Sequence, residues 1–184
     1  MKKVLIFVIA ILVLSFSACY AQDISEDRPE LSVSTIGNLL GWQNTSDQVS
    51  DLLTAYGLEV TNDFDESVNS PALSAEWDSD SSHIFMYFYF NQDNNHLWEI
   101  ETAEIFFNDD MPQNAYNDVI AVYNLNEVGP YQDADLDAYL SDFDDGFYAA
   151  GPKTIALMAM KKATDDSYGY NILMFIDRDY FETH

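Results

Sequence analysis

Residues 84–107 read IFMYFYFNQDNNHLWEIETAEIFF, and this stretch decides the fold. Residues 84–90 are seven apolar residues in a row, rich in aromatic rings and too short for a typical helix. They predict a strand with Ile84, Met86, Phe88 and Phe90 on one face and Phe85, Tyr87 and Tyr89 on the other. Asn91, Gln92, Asp93, Asn94 and Asn95 read as a turn, and residues 97–107 return as a second, long strand. On that strand Trp98 and Ile100 are expected to face one way, with Glu99 and Glu101 opposite. The alternation changes phase by Ile105 and Phe107, so a bulge or twist is expected near Ala103. Upstream, Leu73, Ala75 and Trp77 alternate with Ser74, Glu76 and Asp78, the pattern of a half-buried strand.

Helical periods flank this sheet. Thr45 can cap a helix, with Gln48 as its capping-box partner. Val49, Leu52, Leu53 and Tyr56 form one stripe, and Gly57 before Leu58 is a left-handed stop, which predicts a helix over 46–56. A weaker stripe, Val33, Ile36 and Leu40, predicts a helix over 31–40. Pro112 suits another start, and Tyr116, Val119, Ile120 and Tyr123 carry a stripe on towards Gly129-Pro130. Residues 133–143 repeat the period through Leu136, Tyr139, Leu140 and Phe143, with Gly146 closing the helix. Residues 154–161 and 170–177 then read as a hairpin. The fold expected is α+β: one or more antiparallel sheets with short helices packed on one face. Helix, helix, strands occurs twice, giving pseudo-repeats 31–108 and 109–184 within one domain, 31–184.

That order carries a resemblance. Leu39-Leu40-Gly41, followed by a capped helix ending in Leu53-Thr54-Ala55-Tyr56-Gly57, resembles the helical start of the repeat in beta-lactamase-inhibitor-like proteins and BamE-type envelope lipoproteins. The resemblance implies two short helices packed on an antiparallel sheet, and a function of binding other proteins. The chain departs from the pattern after the helix, where Leu58 follows Gly57; a Gly-Pro pair occurs instead at Gly129-Pro130. The inhibitors' disulfides have no counterpart here, and no binding residue carries over.

Lys2 and Lys3 precede an apolar run over residues 4–16, with small residues at Ser17 and Ala18. The run is too short to span a membrane, which takes about 20 apolar residues, so residues 1–21 read as a secretory signal. Cleavage before Gln22 and lipoprotein-type cleavage before Cys19, which would then be lipidated, are both compatible with Phe16-Ser17-Ala18-Cys19-Tyr20-Ala21. Either way the mature part has no disulfide and no thiolate. Residues 22–30 are a polar tether. The expectation is an exported protein: periplasmic, anchored to the outer envelope or extracellular, with a lipid on Cys19 as its only membrane contact. Intact-mass measurement on the protein from its native cells should give a chain beginning at Cys19 or Gln22, and a mass that retains residues 1–18 would sink the signal reading.

The chain has 32 Asp and Glu against 7 Lys and Arg, a net charge of -25. Contact with nucleic acid is unfavourable, because phosphate affinity rests on Lys and Arg. The single Cys and three His offer little metal chemistry, and no cofactor motif is present. His83 and His96 read as ordinary loop histidines. Asp133, Asp135, Asp137 and Asp144 partly match a calcium loop, but Ala138 stands where the turn needs Gly. The stripe through Leu136 and Tyr139 fits an amphipathic helix instead, with its acids near the positive end of the dipole. Glu99 and Glu101 share a strand face and could serve a hydrolase as paired carboxylates; a solvated strand face is the simpler reading. The aromatics Phe85, Tyr87, Tyr89 and Trp98 are the candidate binding residues. Exposed, they would suit a protein interface or a saccharide platform; covered, they would be core. The function expected is non-catalytic recognition of another protein, with saccharide binding second and carboxylate-dependent hydrolysis third.

Overall fold

The computed structural model describes residues 39–78, 82–106, 121, 125, 127–129, 145–161 and 169–183. Their elements are α1 (Ser46–Ala55), β1 (Val60–Asp65), β2 (Ser70–Asp78), β3 (Ser82–Phe90), β4 (Leu97–Phe106), β5 (Glu127–Gly129), β6 (Asp145–Ala150), β7 (Thr154–Lys161), β8 (Gly169–Asp177) and α2 (Arg178–Thr183). The strands make one 8-stranded sheet in the order β1-β2-β3-β4-β8-β7-β6-β5, and every pairing is antiparallel. Each half of the chain supplies one four-stranded meander, and the two join side by side where β4 pairs with β8. The α+β class with an antiparallel sheet is as the alternation predicts.

Local chemistry accounts for α1. The Thr45 N–H donates to Gln48 Oε1 at 3.0 Å, holding the first turn. At the other end Gly57 takes φ 78°, a left-handed conformation that favours glycine, and Leu58 N–H and Gly57 N–H bond back to Leu53 O and Thr54 O. Val49 and Leu53, on the buried stripe, pack on the sheet face that carries Leu73, Met86, Phe88, Ile100, Leu173 and Phe175. The opposite face carries Tyr89, Trp98, Leu157, Ile172, Met174 and Ile176, with Tyr180 and Phe181 of α2 packed against it. Apolar residues on both faces explain why residues 84–90 and 172–176 read as unbroken apolar runs.

Three expectations need correction. The bulge lies at Trp98, not near Ala103: Tyr89 pairs with Glu99 and Phe90 with Leu97, which leaves Trp98 as the extra residue, while pairing through Ala103 is regular. Trp98 therefore shares its face with Glu99 and not with Ile100. Gly146, expected to close a helix, lies inside β6, and residues 127–129 form β5, so no helix runs to Gly129. His83 sits in β3 opposite Asp78, and its Nδ1 meets Asp78 Oδ1 at 2.5 Å, rather than lying in a loop. The signal segment with Cys19, the tether, most of 31–40, the helices expected after Pro112 and over 133–143, and the Asp133 to Asp144 acids lie outside the described residues.

Candidate functional site

Register brings the site together. On the α2 side of the sheet, one row across the strands runs Asp63, Ala72, Tyr89, Glu99 and Ile176. The next row runs Thr61, Ser74, Tyr87, Glu101 and Met174. Carboxylates on β1, tyrosines on β3 and glutamates on β4 thus lie in adjacent bands. Phe85, Tyr87, Tyr89 and Trp98 all occupy this face. Tyr87 and Tyr89 are near parallel at 6.4 Å and 18°, and Tyr89 lies 6.0 Å from Trp98. Tyr180 of α2 stacks on Trp98 at 4.6 Å. The bulge that turns Trp98 onto this face is held by Trp98 Nε1 donating to Ser70 Oγ at 3.1 Å, while Ser70 donates to Phe90 O at 2.8 Å.

Exposure divides the four candidate residues. Tyr89 and Trp98 are 2% and 8% exposed, whereas Phe85 and Tyr87 are half-buried, Phe85 against the edge of the His83 ring. Tyr87 and Tyr89 border an open cleft of about 330 Å³ whose far wall is the β1 end, with Asp63, Asp65 and Glu66. Asp65 is held in place by Ser67, whose N–H and hydroxyl both donate to its Oδ1, at 2.8 and 2.6 Å.

Glu99 and Glu101 contradict the expectation of a solvated face, being 2% and 0% exposed. Burial holds the Glu99 carboxyl well above the ordinary range, and the charges of Glu101 and Asp65 push the same way. Burial raises Glu101 to about 7, against a lowering by the Tyr89 hydroxyl, which donates to its Oε2 in a long 3.4 Å contact. Glu101 Oε1 has no partner at all. The tyrosines respond in turn: burial, then Glu101, raises both Tyr87 and Tyr89, so both hydroxyls stay protonated donors.

No family model, curated protein or solved structure matches this chain.

The chemistry must therefore be read from the side chains. Neither Glu99 nor Glu101 reaches solvent, so a sugar has no path to the pair as it stands. Among the described residues no group of three or more His, Cys, Asp or Glu could hold a metal ion. What the arrangement offers outward is the Tyr87 ring, a polar donor on an apolar body, beside carboxylates. Asp63, Asp65 and Tyr180 escaped sequence reasoning; β1 offered only Val60 and Phe64 among polar residues.

Proposed function

We propose that this is an exported, acidic binding protein of the cell envelope that recognises another protein through the Tyr87 face of its sheet. The observation that carries the reading is the half-buried Tyr87 ring, stacked on Tyr89 and bordering the acidic cleft. Tyr and Trp that keep one side wet are frequent anchors in interfaces, and a basic or mixed-charge partner suits the field around this one. The basic, then apolar N-terminus supports export. The sheet's two four-stranded meanders support a duplicated strand order, though not the helices expected ahead of the second one. A saccharide platform needs a broad open ring face. Trp98 gives its face to Tyr180 and Tyr89 is covered, so protein recognition takes precedence.

Capture from envelope extracts tests this. Tyr87→Ala should weaken the captured partner by about 2 kcal/mol while lowering folding stability by only about 1 kcal/mol, as a half-buried ring implies. Undiminished capture by folded Tyr87→Ala protein would end the reading, and binding to a glycan array in place of protein would favour the saccharide alternative.

A further inference from the structure

One edge of the sheet is β1, which has no strand on its far side among the described residues. Its backbone N–H and C=O groups on that side form the template that another chain can extend. Successive β1 residues face opposite ways. Thr61, Asp63 and Asp65 stand on the tyrosine side, by the acidic cleft; Phe64 takes the alternate register position between the two acids, 48% exposed, and also borders the cleft. We propose that this edge accepts an extended segment of a partner protein as an added strand, with lysine or arginine at alternate positions facing Asp63 and Asp65 and apolar residues between them facing Phe64. The proposal rests on the protein-recognition reading and gives it a partner chemistry.

Charge chooses the occupant. A second copy of this chain would set Asp63 and Asp65 against their own counterparts, so edge-to-edge pairing of two copies is opposed. A basic strand reverses the sign at the same positions. Its cations would also come near the protonated tyrosine rings of the cleft, whose faces attract positive charge. Acidic residues on an edge can serve merely to discourage aggregation. That role accounts for Asp63 and Asp65, but it leaves an exposed Phe64 between them without purpose. The partner's period of two follows from the edge itself, since a helix or a disordered basic tail would not alternate in step with β1.

Fluorescence polarisation with synthetic peptides on the full chain tests the proposal. A peptide alternating lysine and valine should bind at least about tenfold tighter than a peptide of the same composition with its lysines in one block. Methylating the backbone nitrogens along one edge of the alternating peptide should abolish that preference, and methylating the other edge should preserve it. Asp63→Asn should weaken the alternating peptide more than Asp51→Asn, which removes an equal charge from the exposed side of α1. Equal binding of alternating and block peptides, or indifference to methylation on both edges, would show diffuse charge attraction only and overturn the edge. If the peptides fail while Tyr87→Ala still weakens extract capture, the edge proposal falls alone. The opposite pattern removes Tyr87 as the anchor and leaves the edge.

Discussion

A Glu101→Gln variant should be more stable than the parent at pH 8 by roughly 3 kcal/mol. In the folded protein burial raises the Glu101 carboxyl from 4.5 to about 7, so over that window the native state holds a proton that the unfolded chain has released. Stability contributed by this group is therefore complete below pH 4.5 and falls as pH rises through the window to 7, beyond which both states are ionised. Gln keeps the shape, accepts from the Tyr89 hydroxyl and never ionises. The gap between variant and parent should accordingly close towards pH 4.5. Glu99, raised in the same direction by its own burial, adds a loss of the same sign as pH rises, so Glu99→Gln combined with Glu101→Gln should flatten the profile further. Urea unfolding at several pH values measures this. Parallel profiles for parent and variant would mean that Glu101 is not buried as a carboxyl.

Tyr89→Ala should cost about 3 to 5 kcal/mol of folding stability, the usual range for deleting a buried ring. Tyr89 is 2% exposed, lies between Tyr87 and Trp98, and provides the one hydroxyl that Glu101 receives. Tyr89→Phe separates these roles. It keeps the ring, leaves Glu101 without a donor, and should cost about 1 kcal/mol. Chemical denaturation of both variants beside Tyr87→Ala gives the comparison. A loss at Tyr89→Ala no greater than at Tyr87→Ala would show that Tyr89 is not core.

Much of the fold was legible because it rests on local signals. Thr45, Gln48 and Gly57 mark the ends of α1, and the apolar runs in β3, β7 and β8 are long enough to announce strands. β1 was not legible. Thr61, Asn62 and Asp63 are exposed, and an edge strand held mainly by its backbone ladder needs no apolar alternation. The site was half legible: the shared face of Phe85, Tyr87 and Tyr89 follows from period two alone. The burial of Glu99 and Glu101 does not, because alternation marks two faces without saying whether both are covered. A trace of the Trp98 bulge was present. In an unbroken strand Leu97 would join Glu99 and Glu101 on one face, an odd companion for two carboxylates.

The joining of two meanders at β4 and β8 has a kinetic consequence. Within each meander every pairing is between strands next to one another in sequence, so its loops are comparatively short and inexpensive to close. Among the strand pairings of the sheet the seam alone unites distant segments, setting Glu99 against Ile176 and Phe106 against Gly169. Loop-closure entropy is thus concentrated in one event, and the chain can complete its local hairpins before meeting it. The folding barrier belongs at that seam, where Thr102 meets Leu173 and Ala103 meets Ile172, one strand away from Tyr87 and Tyr89 on β3.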